Sequence, residues 1–228
     1  MVTTYFSDFA GLGFASKVQV LFKNGEAHKS SLLDFNNSNL TDFALDYYKM
    51  NQDDLFSYIY GLLHSETFVK KYDADLKKAT PRIPLVIERE KYIEIGKKLI
   101  NLHLNYEYQP VWNDVEVVYN NPNPSYKVTK MKHPKKGVID TIIYNNHIQI
   151  KNIPEKAYEY VINGRPAIEW IIDQYRIKPD TKSGIIDDPN EFSDDPKYIL
   201  NLLLSVITVS MKTLELIEEL PEFEILDS

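Results

Sequence analysis

Val138-Ile139-Asp140-Thr141-Ile142-Ile143-Tyr144-Asn145-Asn146-His147-Ile148-Gln149-Ile150 decides the fold class. Two runs rich in β-branched and aromatic residues flank Asn145-Asn146, a pair that tolerates the backbone of a tight hairpin turn. Upstream, Val115-Glu116-Val117-Val118-Tyr119 and Tyr126-Lys127-Val128-Thr129 also read as strands. Outside this β-rich middle the apolar spacing becomes helical. Asp53 and Asp54 open a helix over 55–64, where anionic side chains suit the helix dipole. Ser65 and Glu66 open a second through Phe68, Tyr72 and Leu76. It must stop before Pro81, because proline disfavours helical geometry in the residue ahead of it. A third helix, 89–103, places Ile93, Gly96, Leu99 and Ile100 on one face. Further helices are expected at 154–161, at 165–175 and, closing the chain, at 197–220. Near the N-terminus, 17–22 alternates as a strand leaving at Asn24-Gly25, and Thr41 can cap a helix through Phe43, Leu45 and Tyr48. The sum is α+β: a helical base packed around a small, mainly antiparallel sheet.

At 228 residues and 43% hydrophobic, the chain can bury a real core. It has no cysteine, which excludes disulfides and thiolate metal sites and fits a cytoplasmic protein. Met1-Val2-Thr3-Thr4 carries no secretion signal. The longest apolar stretch, 199–209, is broken by Asn201, Ser205 and Thr208, so no membrane span is expected. The net charge of −7 argues against a polyanionic partner. Its distribution softens that objection. Cations outnumber acids between 120 and 182, and acids dominate beyond 183. Binding responds to the local field at the contact surface, which net charge measures poorly.

Three phrases stand out in order: Tyr58-Ile59-Tyr60-Gly61-Leu62-Leu63-His64-Ser65, Pro81-Arg82-Ile83-Pro84, and Ser183-Gly184-Ile185-Ile186-Asp187-Asp188-Pro189-Asn190. Gly96 with 99–103, Lys127-Val128-Thr129-Lys130-Met131, 153–160, Asn163-Gly164-Arg165 leading into Ala167-Ile168-Glu169-Trp170, and Asp173-Gln174-Tyr175 follow the same order. Together they resemble the C-terminal specificity domain of Type ISP restriction-modification enzymes. Those are large single chains combining nuclease, translocase, adenine methyltransferase and DNA target recognition. The resemblance implies a lead-in segment at 1–52 and a specificity domain at 53–228. It implies a DNA target-recognition domain, noncatalytic alone, that positions an adenine N6-methyltransferase and nuclease on a short asymmetric site. Its partners would be double-stranded DNA and the methyltransferase domain of the same or a neighbouring polypeptide, with no membrane. No cofactor is expected in this chain; S-adenosylmethionine, ATP and magnesium belong to the parent enzyme's other domains. The alternative is a protein-docking module, using helices 53–79 and 197–220, or an orphan remnant without DNA binding of its own.

No acid interrupts 125–137, which holds Lys127, Lys130, Lys132, His133, Lys135 and Lys136. A loop of this kind can reach phosphates, and lysine suits positioning better than base reading. The bland alternative is a solvated lysine loop. Arg165, after Asn163-Gly164 and at an expected helix start, has the charge and amides for a phosphate; a plain turn and helix start is the other reading. Arg82, between two prolines, either braces the fold or presents its planar fork to guanine. Base edges fall to Asn113, Asn120, Asn121 and Asn123, since asparagine can pair bidentately with adenine. Trp112 is the candidate aromatic. Asp187 and Asp188 read as turn residues bonding local amides, and His64 and His103 as core histidines with one satisfied nitrogen.

Three look-alikes are set aside. Phe9-Ala10-Gly11-Leu12-Gly13 mimics a methyltransferase glycine loop without a framed strand–loop–helix unit. Asn121-Pro122-Asn123-Pro124 has the wrong third residue and a displaced aromatic for gripping a flipped adenine. Asp140 with Gln149-Ile150-Lys151 lacks the further acid that a magnesium pair requires.

Overall fold

The computed structural model describes residues 40–78, 83–179, 184 and 186–226. The strand at 17–22, its Asn24-Gly25 turn, the glycine pattern at 9–13 and Arg82 lie outside the described residues. The chain divides into two compact units, Met1–Leu104 with Glu215–Ser228, and Asn105–Leu214.

Helices α1 (Asp42–Tyr48), α2 (Gln52–His64), α3 (Glu66–Lys71), α4 (Asp73–Lys78) and α5 (Arg89–Leu104) belong to the first unit. Side-chain caps start three of them: Thr41 and Ser65 where the sequence predicts, and Asn51, which begins its helix at Gln52, ahead of the expected 55. The Thr41 hydroxyl accepts the Ala44 N–H at 3.2 Å, and Asn51 Oδ1 accepts the Asp54 N–H at 2.9 Å. Ser65 ends α2 and caps α3. The single helix expected through Leu76 breaks at Tyr72 and restarts at Asp73. Asp73 and Asp75 occupy the new first turn, where the helix dipole favours carboxylates.

Helix α2 packs along α5 at backbone distance. A Cβ on Gly96 would overlap the Ser57 carbonyl oxygen, and one on Gly61 would overlap that of Tyr92. Both glycines therefore sit inside helices, a placement that costs about 1 kcal/mol each in helix propensity. Tyrosines tie the following chain to this pair. Tyr58 is fully buried; its hydroxyl donates to the Pro84 carbonyl and accepts the Val86 N–H at 3.1 Å. Tyr48 donates to the Ile83 carbonyl at 2.6 Å, and Tyr92 to that of Pro221 at 3.0 Å. The C-terminal segment then pairs antiparallel, with Ile225 opposite Val86.

Both histidines of the helical phrases are buried, as their apolar setting predicts. The Tyr60 hydroxyl meets His103 Nδ1 at 2.7 Å, and His64 Nδ1 donates to the Tyr60 carbonyl at 2.8 Å. Burial pushes His64 down to about 4. Burial, then the neighbouring His64, holds His103 well below its ordinary value.

A three-stranded sheet lies in the second unit: β1 (Glu116–Tyr119), β2 (Ile142–Ile143) and β3 (Ile148–Lys151), ordered β1-β3-β2 and antiparallel throughout. Val117 and Ile142 both stand opposite Ile150. The Asn145-Asn146 hairpin closes as expected, with the Tyr144 N–H on the Ile148 carbonyl at 3.1 Å. Two short hairpins complete the β structure, β4 (Val161–Ile162) with β5 (Arg165–Pro166) and β6 (Lys178–Pro179) with β7 (Ile186–Asp187).

Several expectations fail here for identifiable reasons. Only two residues of 138–144 pair as strand. The helix expected over 154–161 is a 3-10 turn, Glu155–Tyr158, followed by β4. Arg165 lies in a strand and α6 (Ala167–Gln174) starts two residues later. Pro166 drives its predecessor into extended geometry, and Asn163 and Gly164, at φ 52° and 78°, turn the chain into a hairpin. The closing helix α7 (Tyr198–Glu218) is long and apolar enough to cross a membrane, yet 72% of its apolar window is buried within the protein. Two of its polar interruptions have structural work. Ser205 accepts the Gln109 N–H at 2.7 Å, and Thr208 donates to the Pro110 carbonyl at 2.7 Å. The fold is α+β.

Candidate nucleic-acid interface

The basic stretch is positioned by asparagine side chains. Asn190 Oδ1 accepts the Val128 N–H and its Nδ2 donates to the Val128 carbonyl, both at 2.8 Å. At Val128 one amide thus takes the place of a neighbouring strand, and 126–129 forms no ladder. Asp188 Oδ1 orients that amide, accepting Nδ2 at 2.6 Å and the Asn190 N–H at 2.9 Å. The Asp-Asp-Pro-Asn phrase is a turn that holds the lysine segment. Asn145 Nδ2 donates to the Ser125 and Lys127 carbonyls at 2.7 and 3.0 Å, while its Oδ1 accepts the His147 and Ile148 N–H groups.

Replacing Asn190 with alanine strands the buried Val128 N–H and carbonyl together. Each buried group left unsatisfied costs about 1–3 kcal/mol. Urea unfolding is expected to show a loss of about 2–4 kcal/mol for Asn190→Ala. A loss below about 0.5 kcal/mol, the scale of neutral surface changes, would show that the clamp holds nothing.

Beyond the clamp, Val128 and Met131 are buried, each 1% exposed, and anchor the run from beneath. Lys132 pairs with Ile143 through two backbone hydrogen bonds, 3.1 and 2.8 Å, so the run continues along the free edge of β2. The chain then turns through Lys135, Lys136 and Gly137, whose φ of 84° favours glycine. Lys127, Lys130, Lys132, Lys135 and Lys136 are all exposed. Among the described residues none of the five is ion-paired to a carboxylate.

His133 and Arg165 differ from these lysines, and both expectations need correction. Both nitrogens of His133 are engaged inside the protein: Nδ1 with the Thr141 carbonyl at 3.0 Å and Nε2 with Glu169 Oε1 at 2.8 Å. Its ring, against Tyr158 at 5.9 Å, is a brace with no nitrogen left for a phosphate. Arg165 does not open a helix beside free amides. Its guanidinium lies 3.4 Å from Asp173 Oδ2 and 4.0 Å from Glu169 Oε2, and 5.3 Å from the Trp170 ring. Arg176 reaches the other Asp173 oxygen at 3.3 Å. Glu169 thereby touches both His133, 36 residues away, and Arg165, four residues away. Sequence reasoning missed it, although the i, i+4 spacing of Arg165, Glu169 and Asp173 was the available signal.

The remaining candidates sit in loops around β1. Trp112 is half-buried, its carbonyl accepting the Val115 N–H at 3.0 Å, and Asn113 is exposed. Asn120 is exposed while its N–H bonds the His147 carbonyl at 2.8 Å. Asn121 Oδ1 accepts the Asn123 N–H at 2.9 Å, an Asx turn that leaves the Asn123 side chain exposed. A cavity of about 340 Å³ opens beside Lys127 and Asn190, but Asp194 and Asp195 share its wall, so its charge is mixed.

A model of the Type ISP C-terminal specificity domain matches residues 14–202. The chain belongs to that family. Solved structures agree with this Type ISP assignment. A nuclease-deletion mutant of the Type ISP restriction-modification enzyme LlaGI, in complex with a DNA substrate mimic, is 70% identical over 78% of this chain with a TM-score of 0.75. The ATP-dependent Type ISP enzyme LlaBIII bound to DNA is 60% identical over 88% of this chain, TM-score 0.80. The DrdV–DNA complex, 23% identical over 82% of this chain with a TM-score of 0.70, shares the fold. The Type ISP domain spans 14% of the LlaGI chain, 13% of the LlaBIII chain and 20% of the DrdV chain. No curated protein matches it.

Proposed function

We propose that this chain is a DNA target-recognition domain, without catalysis of its own, that holds an adenine N6-methyltransferase and nuclease on a short asymmetric site. The observation that carries the reading is the run of five exposed lysines, none ion-paired among the described residues, that passes the outer edge of a small sheet at Lys132, in a chain whose relatives LlaGI and LlaBIII were solved with DNA. Lys127, Lys130, Lys132, Lys135 and Lys136 anchor phosphates, giving affinity without sequence choice. Asn113, Asn120, Asn121 and Asn123, with Trp112, lie on the loops that read bases, and each good bidentate pair would discriminate by about 1–3 kcal/mol. S-adenosylmethionine, ATP and magnesium serve the partner domains, in the cytoplasm. The docking alternative draws less support, because most of α7's apolar window is spent inside the chain.

The test measures binding of this chain to a labelled random-sequence DNA duplex by fluorescence anisotropy across salt concentration. Phosphate contacts do not depend on sequence, so a random duplex suffices. Changing Lys130, Lys132 and Lys135 together to glutamate should flatten the salt slope by about 2.7, at about 0.9 per contact. An unchanged slope, or no binding by the parent chain at low salt, would sink the reading.

A further inference from the structure

We infer that Glu169 is a positioning residue for DNA binding: its carboxylate holds the lysine run in place through His133. The inference rests on the phosphate-anchoring reading above and assigns a role to an acid that lies outside the lysine run.

Three observations point to it. His133 sits in the middle of the run, one residue after Lys132 and two before Lys135, so whatever fixes its ring fixes the backbone between them. The ring is half-buried and bonded at both ends, to the Thr141 carbonyl at 3.0 Å and to Glu169 at 2.8 Å. Finally, Glu169 comes from α6, an element separate from the sheet edge, and its second oxygen faces Arg165 at 4.0 Å. Asn190 and Asn145 clamp the start of the run at 125–128; Glu169 is the side chain that holds its middle. The segment between Met131 and Val138 otherwise relies on the Lys132–Ile143 pairing and one turn hydrogen bond.

The role makes a prediction opposite in sign to simple electrostatics. Removing an acid beside a cationic surface should strengthen attraction to a polyanion. Removing a positioning residue should weaken it, because lysines that no longer share one placement must be ordered on binding. Glu169→Ala is therefore expected to bind the random duplex about tenfold more weakly, a typical weight for one charge-assisted hydrogen bond. Its salt slope should fall by about 0.9 or more as at least one phosphate contact is lost. Glu169→Gln keeps the acceptor for His133 and removes the charge, so it should restore both affinity and slope. His133→Gln should reproduce the alanine variant, and the double variant His133→Gln with Glu169→Ala should lose no more than either alone.

Thermal unfolding of each variant is recorded alongside, and the comparison uses variants that remain folded. Should Glu169→Ala fail to fold, the His133→Gln and Glu169→Gln pair carries the same contrast. Binding of Glu169→Ala or His133→Gln as tight as the parent overturns the inference, as does equal weakening by alanine and glutamine at 169. The lysine triple variant separates the two levels. If it loses binding while the 169 and 133 variants do not, only the positioning role falls. If it too leaves binding unchanged, the DNA reading falls with it.

Discussion

Gly96→Ala is expected to destabilise the helical unit severely, although helix propensity alone predicts a gain of about 1 kcal/mol. The added methyl would overlap the Ser57 carbonyl oxygen, and the Gly61 N–H lies only 3.1 Å from the same point. Both obstacles are backbone, so no rotamer change relieves the clash and α2 must move off α5. Overpacking of side chains costs about 1–3 kcal/mol, and rigid neighbours place this site at or beyond the top of that range. Against a total stability of about 5–15 kcal/mol, such a loss removes a large share. Gly61→Ala, which meets the Tyr92 carbonyl, should behave alike. Gly164→Ala is the contrast: nothing lies within 4 Å of its Cβ, and only its φ of 78° opposes the change, at roughly 1–2 kcal/mol. Urea denaturation of the three variants checks the order, and a Gly96→Ala chain as stable as the parent would refute the close backbone contact.

Acidification is the second large expected effect. In the unfolded chain His64 and His103 take up protons near pH 6.5, the ordinary histidine value, whereas in the folded chain burial holds His64 at about 4 and His103 well below 6.5. Below the ordinary value the unfolded state therefore binds more protons, and stability falls as pH falls. Each histidine contributes a slope of about 1.4 kcal/mol per pH unit, steepest between about 6.5 and the folded value. The loss for His64 should level off near pH 4. Unfolding midpoints followed from above 6.5 down to about 4, the two His64 values, should drop steeply. The double variant His64→Gln with His103→Gln, less stable at neutral pH, should show a flatter profile. Equal slopes for parent and variant would place the titration elsewhere.

Much of the architecture is legible from local chemistry. Thr41 and Ser65 carry oxygens that satisfy helix-start amides wherever the rest of the chain lies, and each does so. The Asn145-Asn146 turn is likewise a property of neighbouring residues. Errors arise where a partner from far along the chain competes with local preference. The segment 126–129 has strand composition, but the Val128 N–H and carbonyl both bond the side chain of Asn190, 62 residues away. Arg165 has helix propensity, yet Pro166 and the hairpin turn override it.

The sequence by itself determined the α+β class, the capped helices, the buried histidines and the stretch of lysines without an acid, because each depends on residue type and short spacing. It also carried the ordered phrases that place the chain in its family. Only the tertiary structure decided which cations remain free. Composition counts His133 and Arg165 with the lysines, but folding brings Glu169 against both, 36 residues from His133 and four from Arg165. A contact such as His133–Glu169, between residues 36 apart, costs loop-closure entropy that no local pattern encodes, so the difference between a free side chain and a bracing one there exists only in three dimensions.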